Sequence, residues 1–110
     1  MSITKKVFGT DKKSRKAVYE YSIKNDKGMC AKILNYGGII RELWVPDKSG
    51  KLADVVLGHD DLMPYYENEG FLGVAVGPSA NRIGGAKFEI DGVEYQIPGN
   101  ENENNLHSDK

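Results

Sequence analysis

Tyr19-Glu20-Tyr21-Ser22-Ile23, then Asn25-Asp26-Lys27-Gly28, then residues 29–34, is the stretch that decides how the chain is read. Tyr19, Tyr21 and Ile23 alternate with Glu20 and Ser22, the period of a half-buried strand. The Asn-Asp-Lys-Gly segment supplies a turn, so the stretch predicts a β-hairpin. Gly37-Gly38 breaks the chain after it. Residues 39–45 form a further strand, which Pro46-Asp47-Lys48-Ser49-Gly50 turns back into residues 52–57 as a second hairpin.

One stretch, residues 61–67, reads as helical. It is short and interrupted by Pro64, and Asp60 or Asp61 is available as its N-cap. Residues 87–90 and 93–97 flank Asp91-Gly92, a dipeptide suited to the two positive-φ positions of a type I′ turn, which predicts a third hairpin. Residues 99–105 are asparagine-rich and loop-like, because those side chains compete for backbone hydrogen bonds. Six or more strands with a single short helix predict an all-β fold, an antiparallel sandwich or barrel. The pattern breaks off in mid-course, which predicts an unpaired final edge.

With 110 residues the chain makes at most one domain, burying roughly two thirds of the surface of its unfolded form. Fifteen basic and sixteen acidic residues give a net charge of -1, which provides no field for nucleic acid or an anionic membrane. Lysines and arginines crowd the first sixteen residues and carboxylates the last twenty-odd, which we read as two solvated faces. Cys30 is the single cysteine; it reads as a packed core thiol in a reducing compartment. No apolar run suits a signal peptide or spans a bilayer, so a cytoplasmic location is expected.

Two short segments carry hydrogen-bonding groups suited to chemistry: Gly77-Pro78-Ser79-Ala80-Asn81-Arg82-Ile83 and Asn104-Asn105-Leu106-His107. Asn81 both donates and accepts, Arg82 presents a fork of donors, and His107 is a further hydrogen-bonding group. Read without further context, Arg82 is a surface arginine paired with a carboxylate such as Glu89. His59 beside Asp60 and Asp61 lacks the spaced ligands of a metal site and reads as a turn residue. Gly37-Gly38 and Gly84-Gly85 have neither phosphate-loop spacing nor a following helix, so both read as tight turns. Trp44 is expected in the core; Tyr65, Tyr66 and Phe71 are aromatic but are left out of the site.

Leu34-Asn35-Tyr36-Gly37-Gly38, the segment from Val45 through Gly58, Ala80-Asn81-Arg82-Ile83 and Asn105-Leu106-His107 together resemble the aldose 1-epimerases, the galactose mutarotases, in order and spacing. The resemblance covers nearly the whole chain. It implies an antiparallel β-sandwich of the galactose mutarotase-like type, of which residues 1–110 are an incomplete N-terminal part of a single domain. Members of that family are about three times this length.

The resemblance further implies interconversion of the α and β anomers of free hexoses such as galactose and glucose, with no cofactor and no metal. Ring opening needs a base at the C1 hydroxyl and an acid at the ring oxygen. The family's base, a late glutamate, and its acid, a second histidine, fall beyond Lys110. The chain alone is therefore expected to be inactive. Asn81, Arg82 and His107 match the family's substrate-binding asparagine, arginine and first active-site histidine, the last also a catalytic candidate.

The partners implied are a hexose and the remaining C-terminal part of the domain, with neither nucleic acid nor membrane. The alternatives are a non-catalytic carbohydrate-binding module and an inactive truncated product. Two departures from the family pattern bear on substrate choice: Pro78 stands where many members carry arginine, and Ser108-Asp109 where glycines are common.

Overall fold

The computed structural model of the chain describes residues 1–108, so the departure at Asp109 lies outside the described residues. The chain gathers into two compact units, Met1–Ala75 and the segment from Val76 onward. The first is an antiparallel meander of five strands paired in chain order: β1 (Ser2–Thr10), β2 (Ala17–Lys24), β3 (Cys30–Leu34), β4 (Ile40–Pro46) and β5 (Leu52–Asp54).

The two hairpins expected from the sequence are β2–β3 and β4–β5. The return arm of the second is shorter than expected. Asp54 diverts the backbone there, its Oδ1 accepting from the amides of Leu43 (2.9 Å) and Val56 (3.1 Å), a side-chain bond in competition with the ladder.

Strand β1 was not anticipated. Its lysines read as a solvated face, yet the segment pairs with β2 from Ser2↔Lys24 to Thr10↔Ala17, with an irregularity between Val7 and Gly9. Lysines on an edge strand discourage a further chain from adding to the sheet, so high charge and strand are compatible here.

Burial along β2 runs opposite to the apparent alternation. Val18 (4% exposed) and Glu20 (0%) point inward, while Tyr19, Tyr21 and Ile23 are half-buried. The core is Val18, Leu34, Ile39, Leu62 and Tyr65, with Phe8, Tyr36, Tyr66 and Val74 packed against it.

A carboxylate is tolerable in that position because it is paired. Arg41 Nε donates to Glu20 Oε2, and Lys6, its cross-strand neighbour, lies 3.4 Å from Oε1. Arg41 also reaches Glu42 (2.7 Å) and lies 5.1 Å over the Phe8 ring. Burial pulls the Arg41 guanidinium toward the neutral form; the hydrogen bond and field of Glu20, with Glu42, outweigh that and hold its pKa above the ordinary value.

Two core assignments are corrected. Cys30 and Trp44 face each other across β3–β4, and both are half-buried rather than core. The indole N–H donates to Glu42 at 2.6 Å, so Trp44 keeps its polar edge on the charged network instead of entering the apolar cluster.

The helix is one turn, α1 (Pro64–Glu67). Its N-cap is Met63, with no side-chain cap, rather than Asp60 or Asp61. Pro64 begins the turn instead of interrupting it, a position where the missing N–H costs nothing. Tyr65 turns into the core, and its hydroxyl accepts from the His59 amide at 2.8 Å. Tyr66 donates to Asp11 at 2.9 Å.

The second unit holds β6 (Arg82–Ile83), a 3-10 turn (Gly84–Ala86), β7 (Lys87–Ile90), β8 (Val93–Gln96) and β9 (Asn105–Leu106). The β7–β8 hairpin turns at Asp91-Gly92, both left-handed (φ 52° and 77°), as the dipeptide predicts. β6 pairs with β9 in the register Arg82↔Leu106 and Ile83↔Asn105.

The asparagines of the intervening loop bond to backbone, as their composition predicts. Asn100 brackets Leu106 through both main-chain groups (2.6 and 2.7 Å), and Asn104 accepts from Gly85 at 3.1 Å. Asn105, 1% exposed, donates to the Pro98 carbonyl at 2.9 Å.

Candidate functional site

The β6–β9 ladder joins segments about twenty-four residues apart, and its register decides which side chains meet. Asn81, just before β6, has φ 63°, a left-handed conformation that asparagine adopts more readily than most residues. This bend lets its main chain face His107 twice: the His107 amide donates to the Asn81 carbonyl at 2.9 Å, and the Asn81 amide donates to His107 Nδ1 at 3.0 Å. The second bond uses the lone pair on Nδ1, so the neutral imidazole carries its proton on Nε2 and is a donor there.

Arg82 is tied down on one side. Its Nη1 donates to Asn81 Oδ1 at 3.1 Å. Its Nε and Nη2 donate to the two carboxylate oxygens of Glu101, the Nη2 bond at 2.6 Å, a two-pronged pairing of fork with carboxylate. The carboxylate partner is therefore Glu101, not Glu89. Chain distance gave no hint of this, since Glu101 lies in the loop that the β6–β9 pairing folds back over Arg82.

The hydrogen bond to Glu101, reinforced by its charge, raises the Arg82 pKa above the ordinary value. The same bond from Arg82, with smaller contributions from the charges of Arg82 and His107, holds the Glu101 carboxyl below the usual range. Arg82 remains half exposed (52%), so the cluster is open to a ligand.

Ser108 closes the neighbouring turn. Its hydroxyl accepts from the Ser79 amide at 2.8 Å and bonds the Ser79 hydroxyl at 2.7 Å. Residues 107 and 108 have φ 56° and 50°, a conformation cheap for glycine; at position 108 these hydrogen bonds offset the strain of a side chain.

The structure thus brings Asn81, Arg82 and His107 into one hydrogen-bonded cluster and adds Glu101. An open concavity of about 500 Å3 in the same unit is lined by Pro78, Ile83, Phe88, Ile97 and Pro98 among others, and includes none of the three. Its lining has few donors or acceptors, so it is poorly suited to a polyhydroxylated ligand.

The other candidates belong to the fold. His59 sets its ring edge against Tyr65, 4.9 Å between centroids. Among the described residues, no group of three or more His, Cys, Asp or Glu side chains is placed to hold a metal ion. Gly37 and Gly38, both at φ 62°, form the tight turn expected of them.

The class of this strand-rich antiparallel fold follows from comparison with known proteins. The sequence model of the family described as aldose 1-epimerase matches residues 19–110, and the chain belongs to that family. It is 37% identical over 107 residues to the galactose mutarotase of Rattus norvegicus, covering 97% of this chain and 31% of that protein. The aldose 1-epimerase of Streptococcus thermophilus is 36% identical over 90 residues, 82% of this chain and 26% of that one.

Among solved structures, galactose 1-epimerase from Lactobacillus acidophilus superposes with TM-score 0.67 at 26% identity, covering 96% of this chain and 30% of that chain. The GalM/aldose epimerase homologue from C. elegans superposes with TM-score 0.70 at 35% identity, covering 78% and 26%. The fold is therefore the antiparallel β fold of the galactose epimerases expected from the sequence. The chain spans about a third of the length of the relatives it matches.

Proposed function

We propose that this chain is the N-terminal part of an aldose 1-epimerase domain and contributes the sugar-binding half of a site that interconverts the α and β anomers of free hexoses such as galactose and glucose. The observation that supports this most directly is the convergence of Asn81, Arg82 and His107 across β6–β9. In this reading Arg82 donates to ring hydroxyls and to charge developing on oxygen, and Asn81 complements it. His107 lies close to the ring oxygen in this reading, where it orients the sugar and stabilises the open-chain intermediate, its catalytic contribution.

The acid–base pair that completes ring opening is assigned to a second histidine and a late glutamate supplied by the C-terminal part of the domain. Recognition thus resides in these residues, and turnover requires the others. The setting is cytoplasmic, a reading that the lone Cys30 supports. Among the described residues no helix is long and apolar enough to cross a membrane.

Titration of the chain with galactose, followed by NMR or calorimetry, is expected to give saturable binding, and Arg82→Ala to weaken it at least about tenfold, the loss of one charge-assisted contact. Polarimetry of freshly dissolved α-galactose with the chain alone is expected to follow the uncatalysed rate. Acceleration abolished by Arg82→Ala would overturn the division of roles, and binding unaffected by Arg82→Ala would remove Arg82 from the site.

A further inference from the structure

We propose that Glu101 sets the ligand class of this site: by pairing two-pronged with Arg82 it fixes the guanidinium edge offered to ligand and cancels its charge, so that neutral vicinal hydroxyls are preferred over carboxylated or phosphorylated sugars. This rests on the sugar-site reading of Arg82 given above.

An arginine has five N–H donors in a rigid plane. Glu101 occupies the side formed by Nε and Nη2, and Asn81 takes one donor from Nη1. Two of the five donors remain by count, one on Nη1 and one on Nη2, enough to meet two oxygens of a ligand. Two such donors can meet a carboxylate, a phosphate or a vicinal diol alike.

Charge breaks the tie. A bare arginine favours the anion, whereas a guanidinium already neutralised by a carboxylate at hydrogen-bond distance sets an anionic ligand against the like charge of Glu101, which disfavours its binding. The depressed carboxyl pKa of Glu101 keeps this charge in place at neutral pH.

Glu101 is placed for this by its backbone. It forms a bridge with Asn104, whose amide donates to the Glu101 carbonyl at 2.9 Å, while Asn100 clamps Leu106 one residue before His107. The loop is therefore anchored to β9, which ends just before the site histidine, and its carboxylate reaches Arg82 on the partner strand β6.

The test compares D-galactose with D-galacturonate binding to the 110-residue chain by NMR titration near pH 7. The wild-type chain is expected to prefer galactose, and Glu101→Gln, which keeps size and removes charge, to lower the galactose-to-galacturonate affinity ratio at least about tenfold. Glu101→Ala, read by the same ratio, covers failure of the first variant to fold.

A ratio unchanged in a folded variant, with galactose binding still dependent on Arg82, overturns the role of Glu101 alone. Galactose binding by the wild-type chain that is absent or indifferent to Arg82→Ala overturns the sugar-site reading, and this proposal with it.

Discussion

Glu20 and Glu101 show how differently the same side chain behaves with burial. Glu20 is fully buried and depends on Arg41, so Arg41→Leu leaves a carboxylate in the core with Lys6 as its remaining neighbour. The expected cost is about 3 kcal/mol, measured by denaturant unfolding, and replacing Glu20 by methionine as well should recover most of it, because removing a buried pair together spares the unpaired charge.

Glu101 sits at the surface, where stability gains from ion pairs are small. Its effect is to be sought in binding. Because its carboxyl pKa is depressed in the folded chain, the pairing with Arg82 is complete above the ordinary glutamate value of 4.5 and is lost as pH falls below it through the lowered folded value. Galactose affinity is therefore expected to be flat from pH 7 to about 5 and to decline only below that, measured by titration across this range. A decline that begins above about pH 5 would show that Glu101 is not the controlling group.

At the scale of elements, two glycines separate the effects of backbone angle and of space. Gly92 turns the β7–β8 hairpin at φ 77° with nothing within 4 Å of where a Cβ would be, so Gly92→Ala pays only for the left-handed angle, about 1 kcal/mol. Gly73 combines φ 66° with the Ile40 carbonyl pressed directly against where a Cβ would be, in a place where the Ile40 amide bonds the Gly73 carbonyl at 2.8 Å. Gly73→Ala must shift backbone and is expected to cost about 3 kcal/mol or more; thermal unfolding of the two variants side by side checks the order.

The hairpin at Asp91-Gly92 was legible in the sequence because the dipeptide itself supplies the angles. Strand β1 was not, because lysines at an edge are compatible with both solvated coil and paired strand until a partner is known.

At the scale of the molecule, stability is uneven. The first unit has a five-stranded sheet with its own apolar cluster, whereas in the second the β7–β8 hairpin leaves Ile90, Val93 and Tyr95 at 45% exposure or more. A two-stranded hairpin is marginal in water without such cover. Amides of β2, β3 and β4 are accordingly expected to exchange with solvent at least about tenfold more slowly than those of β7 and β8. Comparable protection in both would show that the hairpin is supported beyond the contacts of its own unit.

The antiparallel strand class, the hairpin turns and the family were determined by the sequence itself, because alternation, turn residues and the Asn-Arg and Leu-His segments are local signals. Only the tertiary structure decided that Glu20 faces inward on Arg41 and that Glu101, not Glu89, takes the fork of Arg82. Which face of a strand is buried, and which carboxylate reaches an arginine, depend on pairing register between distant segments, and register is a property of the folded chain rather than of any stretch within it.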